Sequence, residues 1–146
     1  MKKFVYEFED ILECRSFEED AAKQELAKAL AVETEIQNNL KTIAEQYAAV
    51  KAQMKGSTNY DEVIGAGQFY HLLDYQKEEL LKQLAEAKIV SDEKRKILSE
   101  AMKKTEALKN LKETQIKQYK DAESKEEENE ADEINTIRAA NFASSQ

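Results

Sequence analysis

The sequence predicts an all-α fold, a long antiparallel two-helix coiled-coil hairpin in which the second helix is the longer one. The 146 residues include no proline, and the three glycines all lie within twelve positions, from Gly56 to Gly67. Because proline breaks helices and glycine weakens them, the chain can be helical on both sides of this glycine cluster. On both sides, apolar residues recur at alternating intervals of three and four, which is the pattern of a coiled-coil seam.

The first helix is predicted over residues 3–55. Its ladder of seam positions continues for about seven heptads, and twelve of the fifteen positions are apolar. A surface helix of a globular domain usually has a wider apolar stripe and ends sooner. The fifteen positions are Val5, Phe8, Leu12, Arg15, Glu19, Ala22, Leu26, Ala29, Glu33, Ile36, Leu40, Ile43, Tyr47, Val50 and Met54.

The bend of the hairpin is predicted at residues 56–67, where Gly, Ser, Asn and Asp collect. These residue types tolerate turn conformations or form hydrogen bonds with the local backbone. A second helix is predicted over 68–138, followed by a frayed tail over 139–146. The whole chain, 1–146, is predicted to be one coiled-coil domain. The second seam is assigned to Phe69, Leu73, Leu80, Leu84, Ala87, Val90, Ile97, Ala101, Leu108, Leu111 and Ala122, with polar interruptions at Gln76, Lys94 and Gln115.

The charges agree with an antiparallel register. A bend centred near Asp61 places residue i of the first helix opposite roughly residue 122 − i of the second. Residues 94–120 carry a net charge of +6, and the facing residues 2–28 carry −3. Opposite flanking charges favour this pairing. Residues 123–146 extend beyond the pairing and carry −5, which makes them the most acidic part of the chain.

Nothing in the sequence predicts an enzyme, a metal site or a cofactor. His71 is the only histidine and Cys14 the only cysteine, and the predicted register places them far apart, so neither a metal cluster nor a nucleophile–base pair can form. The net charge of −8 argues against nucleic acid as a partner. No apolar run approaches the roughly 20 residues that span a bilayer, and the start lacks the apolar stretch of a signal peptide. We therefore expect a cytoplasmic location.

Residues 68–84 contain more apolar side chains than a two-helix seam can cover. The side chains that together cover more than the seam stripe are Phe69, Leu72, Leu73, Leu80, Leu81 and Leu84, with Tyr70 and Tyr75. Exposed apolar patches on proteins commonly mark interaction sites. The alternative is a thicker core near the bend, closed by Tyr60, Val63 and Ile64 folding back over it.

Several runs of the sequence resemble the family of the flagellar export protein FliJ, and the likeness covers nearly the whole chain. In the N-terminal part of this sequence, Phe alternates with acidic residues ahead of a leucine and then a basic residue. In the C-terminal part, an acidic run precedes a basic residue. The runs that carry it are 3–15, 18–26, 108–113, Tyr119, 126–128 and 132–138.

The resemblance implies a non-enzymatic coupling stalk of the bacterial flagellar export apparatus. Such a protein inserts into the hexameric export ATPase ring, promotes its assembly and activity, and contacts the FlhA export gate and export chaperones. Its location would be cytoplasmic, peripheral to the inner membrane at the flagellar base. The gate contact in this family is attributed to the start of the second helix, which implies Phe69, Leu73, Gln76 and Leu80 as partner-binding residues. The ring contact would come from the paired termini, residues 4–15 and 111–138.

Two other functions remain open from the residues alone. A prefoldin-like chaperone is also a helical hairpin, but it carries β-strands at the bend, and residues 56–66 contain few β-branched side chains. A generic coiled-coil scaffold would share the seam and none of the partners.

Overall fold

The structure, a computed structural model, describes residues 2–144. Helix α1 is Glu9–Met54 and helix α2 is Tyr60–Ser144, and no strand occurs within the described range. The second helix is longer and packs against the first. The prediction of an all-α two-helix hairpin with a longer second helix is therefore confirmed.

The predicted start of the first helix at residue 3 is wrong, because α1 begins at Glu9. The residues before it pack against α2 in a non-helical conformation. Tyr6 is 6% exposed and its hydroxyl donates a hydrogen bond to the Leu108 carbonyl, 2.8 Å away. Val5, which the ladder placed in the seam, is 79% exposed. Alternation of Phe4, Tyr6 and Phe8 at a spacing of two is typical of extended chain rather than helix.

The bend is shorter than the predicted 56–67, because α2 already begins at Tyr60. Asn59 caps this helix: its side-chain oxygen accepts hydrogen bonds from the backbone N–H groups of Asp61 and Glu62, at 3.0 and 3.4 Å. Capping of this kind and acidic residues in the first turn both stabilise a helix start. Gly56 has a φ of 78°, a left-handed conformation that commonly ends a helix. Local capping thus outweighs the two later glycines, which lie inside α2.

The predicted end of the second helix at residue 138 is also wrong, because α2 continues to Ser144. The predicted frayed tail is helical over 139–144, and the rest of that prediction, Ser145 and Gln146, lies outside the described residues. The physical reason is the absence of a stop signal: neither Gly nor Pro follows position 67.

Contacts divide the chain into two compact units, although the sequence predicted one domain over 1–146. We call Glu18–Ala101 the bend unit, and Met1–Phe17 with Met102–Gln146 the terminal unit. Each unit contains part of α1 and part of α2.

In the bend unit, the seam of α1 matches the predicted ladder. Every predicted position from Glu19 to Met54 is buried or half-buried except Tyr47, which is 38% exposed. The seam of α2 departs from the prediction, because Val90 and Ile97 are exposed while Ser91 and Leu98 take their places. The alternation of four and three from Leu80 to Leu84 and Ala87 continues to Ser91. The prediction chose the adjacent Val90 because valine is apolar and serine is polar.

The terminal unit pairs acidic and basic residues as the charge pattern predicts. Lys112 Nζ lies 2.8 Å from Glu9 Oε2, and the same ammonium lies 5.8 Å from the centre of the Tyr6 ring. On α2 the assigned seam residues Leu111 and Ala122 are exposed, whereas Lys112 is half-buried. In this unit the buried positions of α2 therefore follow the spacing of three and four, even where the residue at such a position is charged.

The contacts between the helices lie close to the predicted register. In the bend unit Glu33 contacts Ser91, where the register expects residue 89. The exception is Tyr47, which stacks on Tyr70 with ring centres 4.4 Å apart, five positions from the residue 75 that the register expects. In the terminal unit Glu9 pairs with Lys112, where residue 113 is expected.

Candidate partner-binding surface

The four residues predicted to bind a partner do not share one exposed surface. Leu73 is 1% exposed and belongs to the core of the bend unit. Phe69 and Leu80 are half-buried, and Gln76 is exposed. The structure therefore leaves Phe69, Gln76 and Leu80 able to touch a partner directly, while Leu73 supports the helix pairing beneath them. Partner binding by these residues stays a prediction.

Gln76 and Leu80 line a groove of about 430 Å³ between the two helices of the bend unit. Ile43 forms part of its apolar surface. The remaining lining residues are mostly amides, hydroxyls and one carboxylate: Asn39, Thr42, Gln46, Tyr75, Glu79 and Gln83. Uncharged hydrogen-bonding groups around a small apolar centre suit a protein surface of mixed character.

A second groove, of about 490 Å³, involves the same two helices of the bend unit and shares Ile43. Its lining is more apolar, and its charged groups are Asp74 and Lys77. The apolar lining residues are Leu40, Ile43, Ala44, Tyr47 and Leu81. Because Leu80 and Leu81 are consecutive on α2, their side chains point to different grooves.

Phe69 lies at a third groove, nearer the bend, with Val50, Met54 and Gly65 among its neighbours. The alternative of a core thickened by Tyr60, Val63 and Ile64 is not what the structure has, because these side chains are 76%, 50% and 42% exposed. Leu72 and Tyr75 are likewise exposed. The bend unit therefore presents apolar side chains at its surface, as the sequence predicts for 68–84.

The terminal unit offers a different surface. Near its start, Phe4 packs against Tyr119 with ring centres 5.6 Å apart, and the Tyr119 hydroxyl donates a hydrogen bond to the Lys2 carbonyl. Every residue over 124–144 is exposed, including Ile134 and Ile137. This stretch is strongly acidic, so the surface combines carboxylates with exposed aliphatic side chains.

The described residues contain neither a candidate metal-binding group nor a candidate membrane-spanning helix. No group of three or more His, Cys, Asp or Glu side chains within 2–144 is arranged to hold a metal ion. Over the same range, no helix combines the length and apolarity needed to cross a membrane.

Sequence reasoning missed the contribution of residues 2–8. The signal was present in the alternating aromatics, but the heptad ladder was extended through them as if they were helical. The family resemblance also selected Leu73 for partner binding, whereas the heptad spacing had assigned the same residue to the seam, and the structure agrees with the seam. The helix pairing, and not the residue type, decides that Leu73 is core and Leu72 is surface.

In the comparison with protein families, residues 4–144 match the family described as "Flagellar FliJ protein". The comparison with curated proteins found no match, and the comparison with solved structures found none either.

Proposed function

Because the chain belongs to the flagellar FliJ family, we propose that it is a non-enzymatic coupling stalk of the flagellar export apparatus. In this proposal the protein inserts into the hexameric export ATPase ring, promotes ring assembly and ATP hydrolysis, and contacts the FlhA export gate and export chaperones. It works in the cytoplasm, at the inner membrane beneath the flagellum. The family match over residues 4–144 carries the proposal, since it includes both the bend and the termini.

We assign the ring contact to the terminal unit, in residues 4–15 and 111–138. The pairing of the N-terminal aromatics with α2 supports this assignment, because it gives the two termini a fixed common surface. The acidic residues and the exposed Ile134 and Ile137 support it as well. A protein interface usually has an apolar centre within a polar rim, and these two isoleucines among carboxylates have that arrangement.

We assign the gate contact to the bend unit, at the groove that Gln76 and Leu80 line, with Phe69 beside it. The exposed apolar side chains near the bend support this assignment, because such patches on proteins commonly bind other proteins. Leu73 contributes indirectly, by holding α2 against α1.

A prefoldin-like chaperone receives no support from the bend. Prefoldin hairpins assemble through β-strands at that position, and the described residues 55–60 form turn and helix start without a strand.

The proposal is tested by the ATP hydrolysis rate of the cognate export ATPase, measured with and without the full-length protein. We expect a higher rate and a larger fraction of hexameric ATPase, and we expect the two proteins to elute together in size-exclusion chromatography. An unrelated coiled-coil protein of similar net charge is the control. An unchanged rate together with separate elution would exclude the ring contact.

A further inference from the structure

A polar pair lies in the middle of the bend unit's seam. Ser91 is 0% exposed, and its hydroxyl donates a hydrogen bond to Glu33 Oε1 on the other helix. The Ser91 oxygen also lies 3.0 Å from the Lys88 carbonyl oxygen. Glu33 itself is half-buried. Removing a carboxylate from water is costly unless it is paired, so this pair stabilises the fold only while its two members meet.

The residues one heptad away on either side are all leucine. On α1, Glu33 stands between Leu26 and Leu40, each seven residues away; on α2, Ser91 stands between Leu84 and Leu98 at the same spacing. All four leucines are half-buried. If α2 moved along α1 by one heptad in either direction, Glu33 would face a leucine, and so would Ser91. The apolar layers would still meet apolar layers, but the carboxylate would be buried without a hydroxyl donor.

The bend does not by itself prevent such a displacement. The first turns of α2 contain Gly65 and Gly67, which weaken a helix, and an added Cβ at either position would meet nothing within 4 Å. Unwinding about two turns there would supply the seven residues that a heptad displacement requires. Because the bend leaves the register free, contacts along the helices must fix it: the seam in the bend unit, and the Glu9–Lys112 ion pair in the terminal unit.

We propose that the Glu33–Ser91 pair fixes the register of the two helices in the bend unit. A polar residue at one seam position of a coiled coil can specify its alignment at some cost in stability. The pair would select one alignment out of three that the leucines alone permit. This role is independent of which partners the protein binds.

The alignment is measurable by the distance between two spin labels on exposed positions of the bend unit. We would attach them through Gln24→Cys and Glu78→Cys in a Cys14→Ser background and measure electron–electron distances. With Glu33 opposite Ser91, residue 78 lies opposite residue 46, about 33 Å along the helix axis from residue 24. A heptad displacement changes this axial separation by about 10 Å. The unmodified pair should give one narrow distance distribution.

Two variants test the proposal on this background. Glu33→Leu with Ser91→Leu removes the pair, and we expect a second distance population displaced by about 10 Å axially. Leu26→Glu with Glu33→Leu moves the carboxylate by one heptad, and we expect the dominant distance to become shorter because residue 26 then faces Ser91. Glu33→Gln keeps a hydrogen-bonding side chain and should retain the native distance. The proposal would be overturned if both double variants, the one without the pair and the one with the carboxylate moved, gave the native distance alone.

A thermal measurement covers the case in which these variants fold poorly. Ser91→Ala leaves Glu33 without its hydroxyl partner and should lower the Tm by about 3–6 °C. Ser99→Ala, the matched change at an exposed position of α2, should leave the Tm almost unchanged. Equal Tm values for the two variants would show that the Ser91 hydroxyl does not stabilise the native pairing, which would contradict the proposal.

Discussion

Leu80 and Leu81 are neighbours in sequence with different positions in the bend unit. Leu80 is half-buried in the groove with Gln76, whereas Leu81 is 45% exposed in the more apolar groove. Their chemistry is identical, so any difference in their effect on partner binding must come from location. They form a matched pair for testing the proposed gate contact.

Leu80→Ala should weaken binding to the FlhA export gate about five- to thirtyfold, the usual effect of truncating a central interface residue. Leu81→Ala, the same change on the next residue, should alter the affinity by less than about twofold. Isothermal titration against the purified cytoplasmic part of the gate measures both. Circular dichroism must show the helicity retained in each variant. A larger loss from Leu81→Ala would move the contact to the other groove.

Leu73 shows the limit of residue-scale prediction from sequence. The heptad spacing assigns it to the seam of the second helix, whereas the family resemblance marks it as a partner residue. The structure buries it at 1% exposure. Which leucines of a rich stretch remain at the surface depends on the rotation of α2 against α1, and no single residue encodes that rotation.

At the scale of the elements, the inward face of α1 and its end near Met54 were predictable, whereas the start of α1, both ends of α2 and part of the inward face of α2 were not. A seam that repeats over many heptads determines the helix and its inward face. The ends depend on a few local contacts: Tyr6 packing before α1, and the Asn59 side chain accepting hydrogen bonds at the start of α2. Such contacts are specific to a few atoms and leave a weak pattern in the sequence. The two glycines after Asn59 misled the prediction because capping was stronger than their helix-weakening effect.

The glycines inside α2 therefore give a prediction about stability. Gly65→Ala and Gly67→Ala should each raise the free energy of unfolding by about 0.5–1 kcal/mol, because helical alanine is favoured over glycine and the added Cβ meets nothing within 4 Å. Gly56→Ala is the control and should lower it by about 1–2 kcal/mol, since Gly56 has a positive φ. Urea unfolding followed by circular dichroism measures all three. Destabilisation by the first two variants would mean that the start of α2 is not helical in solution.

At the scale of the whole molecule, the two proposed partners bind two different surfaces of one chain. The terminal unit carries the acidic stretch with Ile134 and Ile137, and the bend unit carries the groove with Leu80. Because the two surfaces belong to different units, a change in one should leave the fold of the other intact. This separation follows from the division of contacts into two units. It predicts that ring activation and gate binding can be lost one at a time.

The most direct test measures both activities in the same set of variants. Leu80→Ala should reduce gate binding and leave stimulation of the export ATPase unchanged. Ile134→Ala with Ile137→Ala should reduce ATPase stimulation and leave gate binding unchanged, and alanine keeps the helix intact. If both sets of changes reduced both activities to the same extent while helicity was retained, the assignment of the two partners to separate surfaces would be wrong.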